Sequence, residues 1–162
     1  NATAQFFVSD GFYQFISTTF PEGKACESTL CIEITEQSRL ITDDYIATTF
    51  AMLKDIGIKL AIDDFSMGYT SLKYLSNNPF DTVKLDGSLV RGLENPRNCQ
   101  IIASIIYLSQ SLGFSVIAEF VETEKQRNRL TEIGCHAYQG YLYSRPLTLD
   151  LLRDFVKQSP LC

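Results

Sequence analysis

The sequence predicts an α/β protein built on a parallel sheet, read as a (β/α)-barrel incomplete in this chain. Three observations predict it. Apolar runs of strand length alternate with helically spaced segments from end to end, with no Gly-, Ser- or Pro-rich linker between them. Similar elements recur about every 25–30 residues, which suits a barrel or a doubly wound sheet. Four consecutive strands end in carboxylates, and no G-x-G-x-x-G follows the first strand. In a barrel those ends converge on one mouth.

The elements follow in order. Phe12, Phe15, Ile16 and Phe20 carry helical spacing over residues 12–20, stopped by Pro21 and Gly23. Residues 29–35 form a strand with Glu33 near its end. Residues 43–56 form an amphipathic helix with Ile46, Phe50, Leu53 and Ile56 on one face, closed by Gly57. Strand 58–63 leads into Asp63 and Asp64, and a short helix covers 71–75. A third strand, 81–86, carries Lys84 and Asp86, two apart and so on one side of it. Helix 98–112 has Pro96 before it and Gly113 after it. Strand 114–119 ends in Glu119, and helix 123–133 is closed by Gly134. A fifth strand, 135–139, ends in Gln139, and a last helix covers 147–156.

Composition narrows the function. At 162 residues and 45% hydrophobic the chain fits one domain over residues 1–162. A net charge of −5 without a basic run argues against binding DNA through its backbone. The apolar run 101–108 is far short of the ~20 residues that span a bilayer, and no signal peptide is evident. Five cysteines, an odd number without a C-x-x-C pair, fit free thiols in a cytoplasmic protein, whether or not its parent is membrane-tethered. His136, the one histidine, receives no role.

Two adjacent aspartates repel, so the Asp63–Asp64 pair needs a reason: a helix cap, or a divalent cation that turns repulsion into shared attraction. Glu33, Asp63 with Asp64, Asp86 and Glu119 at successive strand ends favour the cation. Carboxylates packed so closely require protons, Lys84 or metal, and hard oxygen ligands select Mg²⁺, Mn²⁺ or Ca²⁺ over zinc.

These residues also carry a resemblance. Glu33-Ile34-Thr35-Glu36 resembles E-I-T-E, and Asp63 to Leu72 resembles D-D-F-G-T-G-Y-S-S-L. Lys84-Leu85-Asp86 resembles K-I-D, and Ala118 to Thr123 resembles A-E-G-V-E-T. Gln139-Gly140-Tyr141 and Arg145-Pro146-Leu147 resemble the closing Q-G-Y and R-P-L. In order and spacing the chain is similar to the EAL domains that hydrolyse cyclic di-GMP, matching the carboxy-terminal two-thirds of the pattern.

The resemblance implies a two-metal site, Mg²⁺ or Mn²⁺, with Asn1, Glu33, Asp63, Asp64 and Asp86 as metal residues. It makes Lys84, Glu119 and Gln139 catalytic, Glu36 and Glu122 a loop anchor and support, and Pro146 a substrate contact. It further implies a homodimer through this domain and a regulatory or GGDEF-type domain in the parent protein. There are departures. The E-A-L strand is not in the chain, Phe120 replaces a glycine, and Ser66 and Gly87 stand for the usual Gly and Arg. The competing reading is a degenerate module that binds cyclic di-GMP or a protein without hydrolysis. An enolase-like metal barrel is a third, and it leaves the D-D-F and Q-G-Y segments unexplained.

Overall fold

The computed structural model describes residues 9–19, 30–35, 44–65 and 72–158. Its elements are α1 (Asp10–Thr19), β1 (Cys31–Thr35), α2 (Asp44–Asp55), β2 (Lys59–Phe65), α3 (Leu72–Asn77) and β3 (Thr82–Leu85). They continue with α4 (Gly87–Arg91), α5 (Pro96–Leu112), β4 (Ser115–Ala118), α6 (Glu124–Ile133), β5 (Ala137–Tyr138) and α7 (Leu149–Gln158). The five strands are parallel and lie in the order β1-β2-β3-β4-β5. A doubly wound sheet reverses direction at a switch point. Here each strand sits beside its predecessor, so the sheet is an arc of a (β/α)-barrel, as expected.

Register sorts the side chains. Ile34 pairs with Ile62, which stands beside Val83, and Val83 with Val116. With a period of two, this face carries Ile32, Ile34, Leu60, Ile62, Val83, Leu85, Val116 and Ala118, an apolar layer beneath the helices. All but the partly buried Ile32 are at most 9% exposed. Phe50 and Leu53 of α2 and Ile102 and Ile105 of α5 join the same core. Each fully buried large apolar side chain contributes about 1.5–3 kcal/mol, so this layer dominates the stability of the arc. The opposite face carries Glu33, Ala61, Asp63, Thr82, Lys84, Ser115 and Ile117, and leads at its upper end to Glu119.

The helix ends are closed by recognisable caps. Asn95 accepts from the Arg97 N–H with Pro96 in the first turn, and Gly113 closes α5 at φ 79°. Thr123 and Gln126 form a reciprocal capping box on α6. At the other end of the sheet, Asp81 accepts from Lys54 Nζ at 2.6 Å, Lys59 Nζ at 3.0 Å and the Leu60 N–H at 2.9 Å. That carboxylate pins α2, β2 and β3 together.

Several elements differ from expectation: the fifth strand, expected over 135–139, is only Ala137–Tyr138 and leaves Gln139 just beyond it, and α5 begins at Pro96 rather than 98. β2 runs on through the aspartate pair to Phe65, and α4 is an additional one-turn helix. In the last helix, α7, every residue from Leu149 to Gln158 is exposed, including Leu149, Leu151, Leu152, Phe155 and Val156. No helix among the described residues is long and apolar enough to cross a membrane.

Candidate active site

The site grows from one irregularity. β2 pairs Ile62 with Val83 and Phe65 with Leu85, so three steps on β2 answer two on β3. The extra residue is a β-bulge, a device that re-aims side chains at strand ends. Within it, Asp64 takes φ 56°, and its N–H donates to Asp63 Oδ1 at 3.2 Å. In a regular strand consecutive side chains face opposite ways. Here the bulge brings ligand oxygens of Asp63 and Asp64 within 4.8 Å of one another and of Glu119.

Lys84 joins this cluster from β3. Its Nζ lies 2.8 Å from Glu119 Oε1, 3.0 Å from Asp63 Oδ1 and 3.0 Å from Glu33 Oε1. The lysine is 5% exposed, Asp63 8% and Glu119 6%. Burial alone would lower the lysine pKa, but hydrogen bonds to Glu119, Asp63 and Glu33 outweigh it and hold the ammonium well above its ordinary value. For Glu119, burial raises the carboxyl pKa, and the charges of Asp63 and Asp64 add to that, while Lys84 opposes it. One ammonium thus shares itself among three carboxylates, with a fourth, Asp64, alongside.

The donors present fit a divalent cation. All are carboxylate oxygens, which suit Mg²⁺, Mn²⁺ or Ca²⁺. Burial first, and then the charges of Asp63 and Asp64, disfavour the ionised form of Glu119, and a cation held among these carboxylates would favour it.

Beside the cluster opens a cleft of about 410 Å³, lined by Glu119, Phe120, Glu122, Gln139, Tyr141 and Pro146 among others. Main-chain bonds set its shape. The Gln139 N–H donates to Ala118 O at 2.8 Å, Val121 N–H to Gln139 O at 3.1 Å, and Leu142 N–H to Val121 O at 3.0 Å. Gly140 permits this approach, because a Cβ there would fall inside the Val121 backbone.

The structure therefore brings together Glu33, Asp63, Asp64, Lys84 and Glu119, and sets Gln139, Glu122 and Pro146 on the adjoining cleft. Asp86 stands apart from the Asp63–Asp64–Glu119 cluster. β3 ends at Leu85, and the Asp86 carboxylate turns to accept from the Ser88 N–H at 2.9 Å, capping α4. Asn1 and Glu36 lie outside the described residues. The sequence reading assigned nothing to Tyr141 or Arg145, whose guanidinium lies 4.6 Å over the Tyr141 ring at the cleft wall. Their four-residue separation across a turn was the available signal.

Comparisons with known proteins place the chain in a family. The EAL domain profile matches residues 1–146. RocR of Pseudomonas aeruginosa, a cyclic di-GMP phosphodiesterase, is 37% identical over 145 residues, covering 89% of this chain and 37% of RocR. The solved PaMucR phosphodiesterase, in complex with c-di-GMP, superposes with a TM-score of 0.83 at 31% identity, over 94% of this chain and 62% of that one. BlrP1 of Klebsiella pneumoniae, solved with manganese and cy-diGMP, gives 0.75 at 30% identity, over 86% of this chain and 36% of that one. The chain thus spans little more than a third of RocR's length. With the profile match over most of its residues and the same fold throughout, the chain belongs to the EAL domain family.

Proposed function

We propose that this chain is the catalytic part of a cyclic di-GMP phosphodiesterase that opens the ring to linear pGpG with Mg²⁺ or Mn²⁺. The observation that carries the reading is the convergence of Asp63, Asp64, Glu119 and Lys84 at one strand-end mouth. Cyclic di-GMP in the PaMucR and BlrP1 structures, and the named activity of RocR, support the substrate class.

In this reading Asp63 and Asp64 would hold the cations, with Glu33 and Asn1 completing the set and Glu119 beside them. Bound metal lowers the pKa of water and steadies the oxygens of an in-line displacement. Glu119, buried beside Asp63 and Lys84, takes the proton of the attacking water. Lys84 keeps a positive charge beside that water and holds Glu33, Asp63 and Glu119 in place. Gln139 orients the water from the β5 end, and Pro146 borders the nucleotide. Asp86 acts through its cap on α4, Glu122 supports the cleft wall, and Glu36 anchors the loop after β2. One bond forms from water oxygen to phosphorus and one breaks to a ribose oxygen, which takes up a proton. A homodimer through this domain and a GGDEF-type neighbour in a cytoplasmic parent complete the proposal.

The test is cyclic di-GMP hydrolysis by the native protein containing this chain, with the linear product followed by chromatography. Glu119→Gln should slow turnover by about 10²–10⁴-fold. Unimpaired turnover by Glu119→Gln would exclude the assigned base. Nucleotide binding without turnover by the unsubstituted protein would make it a receptor instead.

A further inference from the structure

The residue after Glu119 is a conformational outlier. Phe120 sits at φ 56°, a region that bulky side chains rarely enter unless their surroundings enforce it. The surroundings do enforce it. The ring lies against Gly87, where an added Cβ would come within 2.5 Å of Phe120 Cδ2, and the Arg91 guanidinium stands 5.3 Å from the ring centroid. The fold accepts strain at 120 and glycine at 87 to keep this ring where it is. A ring kept only for packing would be buried, but Phe120 is 47% exposed and lines the 410 Å³ cleft beside Glu119. Tyr141, 53% exposed, lines the same cleft and is covered by Arg145. The cleft therefore carries two half-exposed aromatic rings, each with its own arginine, next to the carboxylate cluster.

We propose that Phe120 is a specificity-determining residue, whose arginine-backed ring stacks one purine base of the cyclic dinucleotide. This rests on the reading of the site as a cyclic di-GMP phosphodiesterase. An aromatic ring recognises a flat π-system, and a cation on one side of the ring strengthens its hold in a cleft that is partly shielded from water. The stack is made alike in ground and transition state, because the base takes no part in bond breaking. It therefore acts on KM and leaves kcat alone.

The experiment uses the native protein with Phe120→Gly and, separately, Gly87→Ala. The first removes the ring and relieves the backbone. The second leaves the ring in the sequence and drives a Cβ into its seat. Steady-state kinetics are measured with cyclic di-GMP and with a cyclic dipyrimidine dinucleotide, alongside thermal melting. The expected result for Phe120→Gly is a KM for cyclic di-GMP raised about 5- to 150-fold, the range that base–aromatic stacking supports, with kcat within twofold. The rise is smaller for the pyrimidine ring, melting is no lower than in the parent, and Gly87→Ala reproduces the KM defect. An unchanged KM in Phe120→Gly, or a fall in kcat at constant KM, overturns the proposal while leaving the phosphodiesterase reading intact. Absence of turnover in the unsubstituted protein overturns both.

Discussion

Replacing Lys84 by alanine should cost the fold as well as the chemistry, and the metal should return much of what is lost. From the sequence alone, Lys84 is expected at a strand end facing a solvated cavity, so that Lys84→Ala abolishes turnover and leaves the fold intact. The structure makes it the hub of three contacts at 2.8–3.0 Å with Glu33, Asp63 and Glu119, two of which are nearly as buried as the lysine. Removing one partner of a buried ion pair costs about 3–5 kcal/mol, because the remaining charges stay desolvated. For a domain of this size that corresponds to a melting temperature lower by about 6–20 °C. Two things limit the loss. Glu119, already pushed up by burial and by Asp63 and Asp64, takes a proton more readily once the ammonium is gone. The penalty should therefore be larger at pH 8 than at pH 5.5. Millimolar Mg²⁺ or Mn²⁺ binds the folded carboxylates and stabilises by mass action, so the Lys84→Ala deficit should shrink on moving from EDTA to metal. Calorimetry or circular dichroism of the native protein and the variant, at both pH values and in both buffers, reads this directly. A deficit below about 2 °C in EDTA, or one that grows on adding metal, would refute the charge-hub argument.

Two further predictions lie away from the carboxylate cluster. Asp81→Asn should lose about 2 kcal/mol at pH 6, since it weakens charge-assisted bonds to Lys54 and Lys59. Burial would raise the Asp81 pKa, but the Lys54, Leu60 and Lys59 bonds outweigh it and hold the pKa below the ordinary value. Its contribution is thus present above about pH 3.9 and lost as pH falls through the lowered folded value. Urea titrations of parent and variant should converge near pH 2 and separate at pH 6; equal separation at both would contradict the pin. Gly140→Ala should force apart the Val121 and Gln139 backbones, lowering melting and turnover together, with overpacking worth about 1–3 kcal/mol or more. Normal melting and normal turnover in Gly140→Ala would show that the two segments can separate without cost.

The alternation of strands and helices was legible because parallel strands under helices must be apolar, and Ile34, Ile62 and Val83 are. The glycine stops at Gly113 and Gly134 were legible, while the Asn95 cap lay before a helix that starts two residues earlier than expected and Thr123 turned out to be a cap rather than the first helical residue. The bulge at Asp63–Asp64 was not legible, since register between β2 and β3 is a property of two strands and not of either one. Lys84 and Asp86 obeyed the two-residue rule only while the strand lasted. It ended at Leu85, and Asp86 became a cap for α4, a helix too short to announce itself by periodicity. The role of Lys84 as a shared counter-ion needed three strands at once. Its chemical class was visible, its partners were not.

The zipper of main-chain bonds among Ala118, Val121, Gln139 and Leu142 makes the site tolerant of side-chain change. Glu119 and Gln139 are spaced by peptide groups, which every residue except proline can supply. Apart from Gly140, whose missing Cβ the close approach requires, the side chains of these segments do not carry the spacing of the two functional groups. Position 120 lies inside that main-chain span, so the bonds on either side of it hold whatever side chain it carries. The Glu119 carboxylate beside it is thus positioned by peptide groups rather than by the residue at 120.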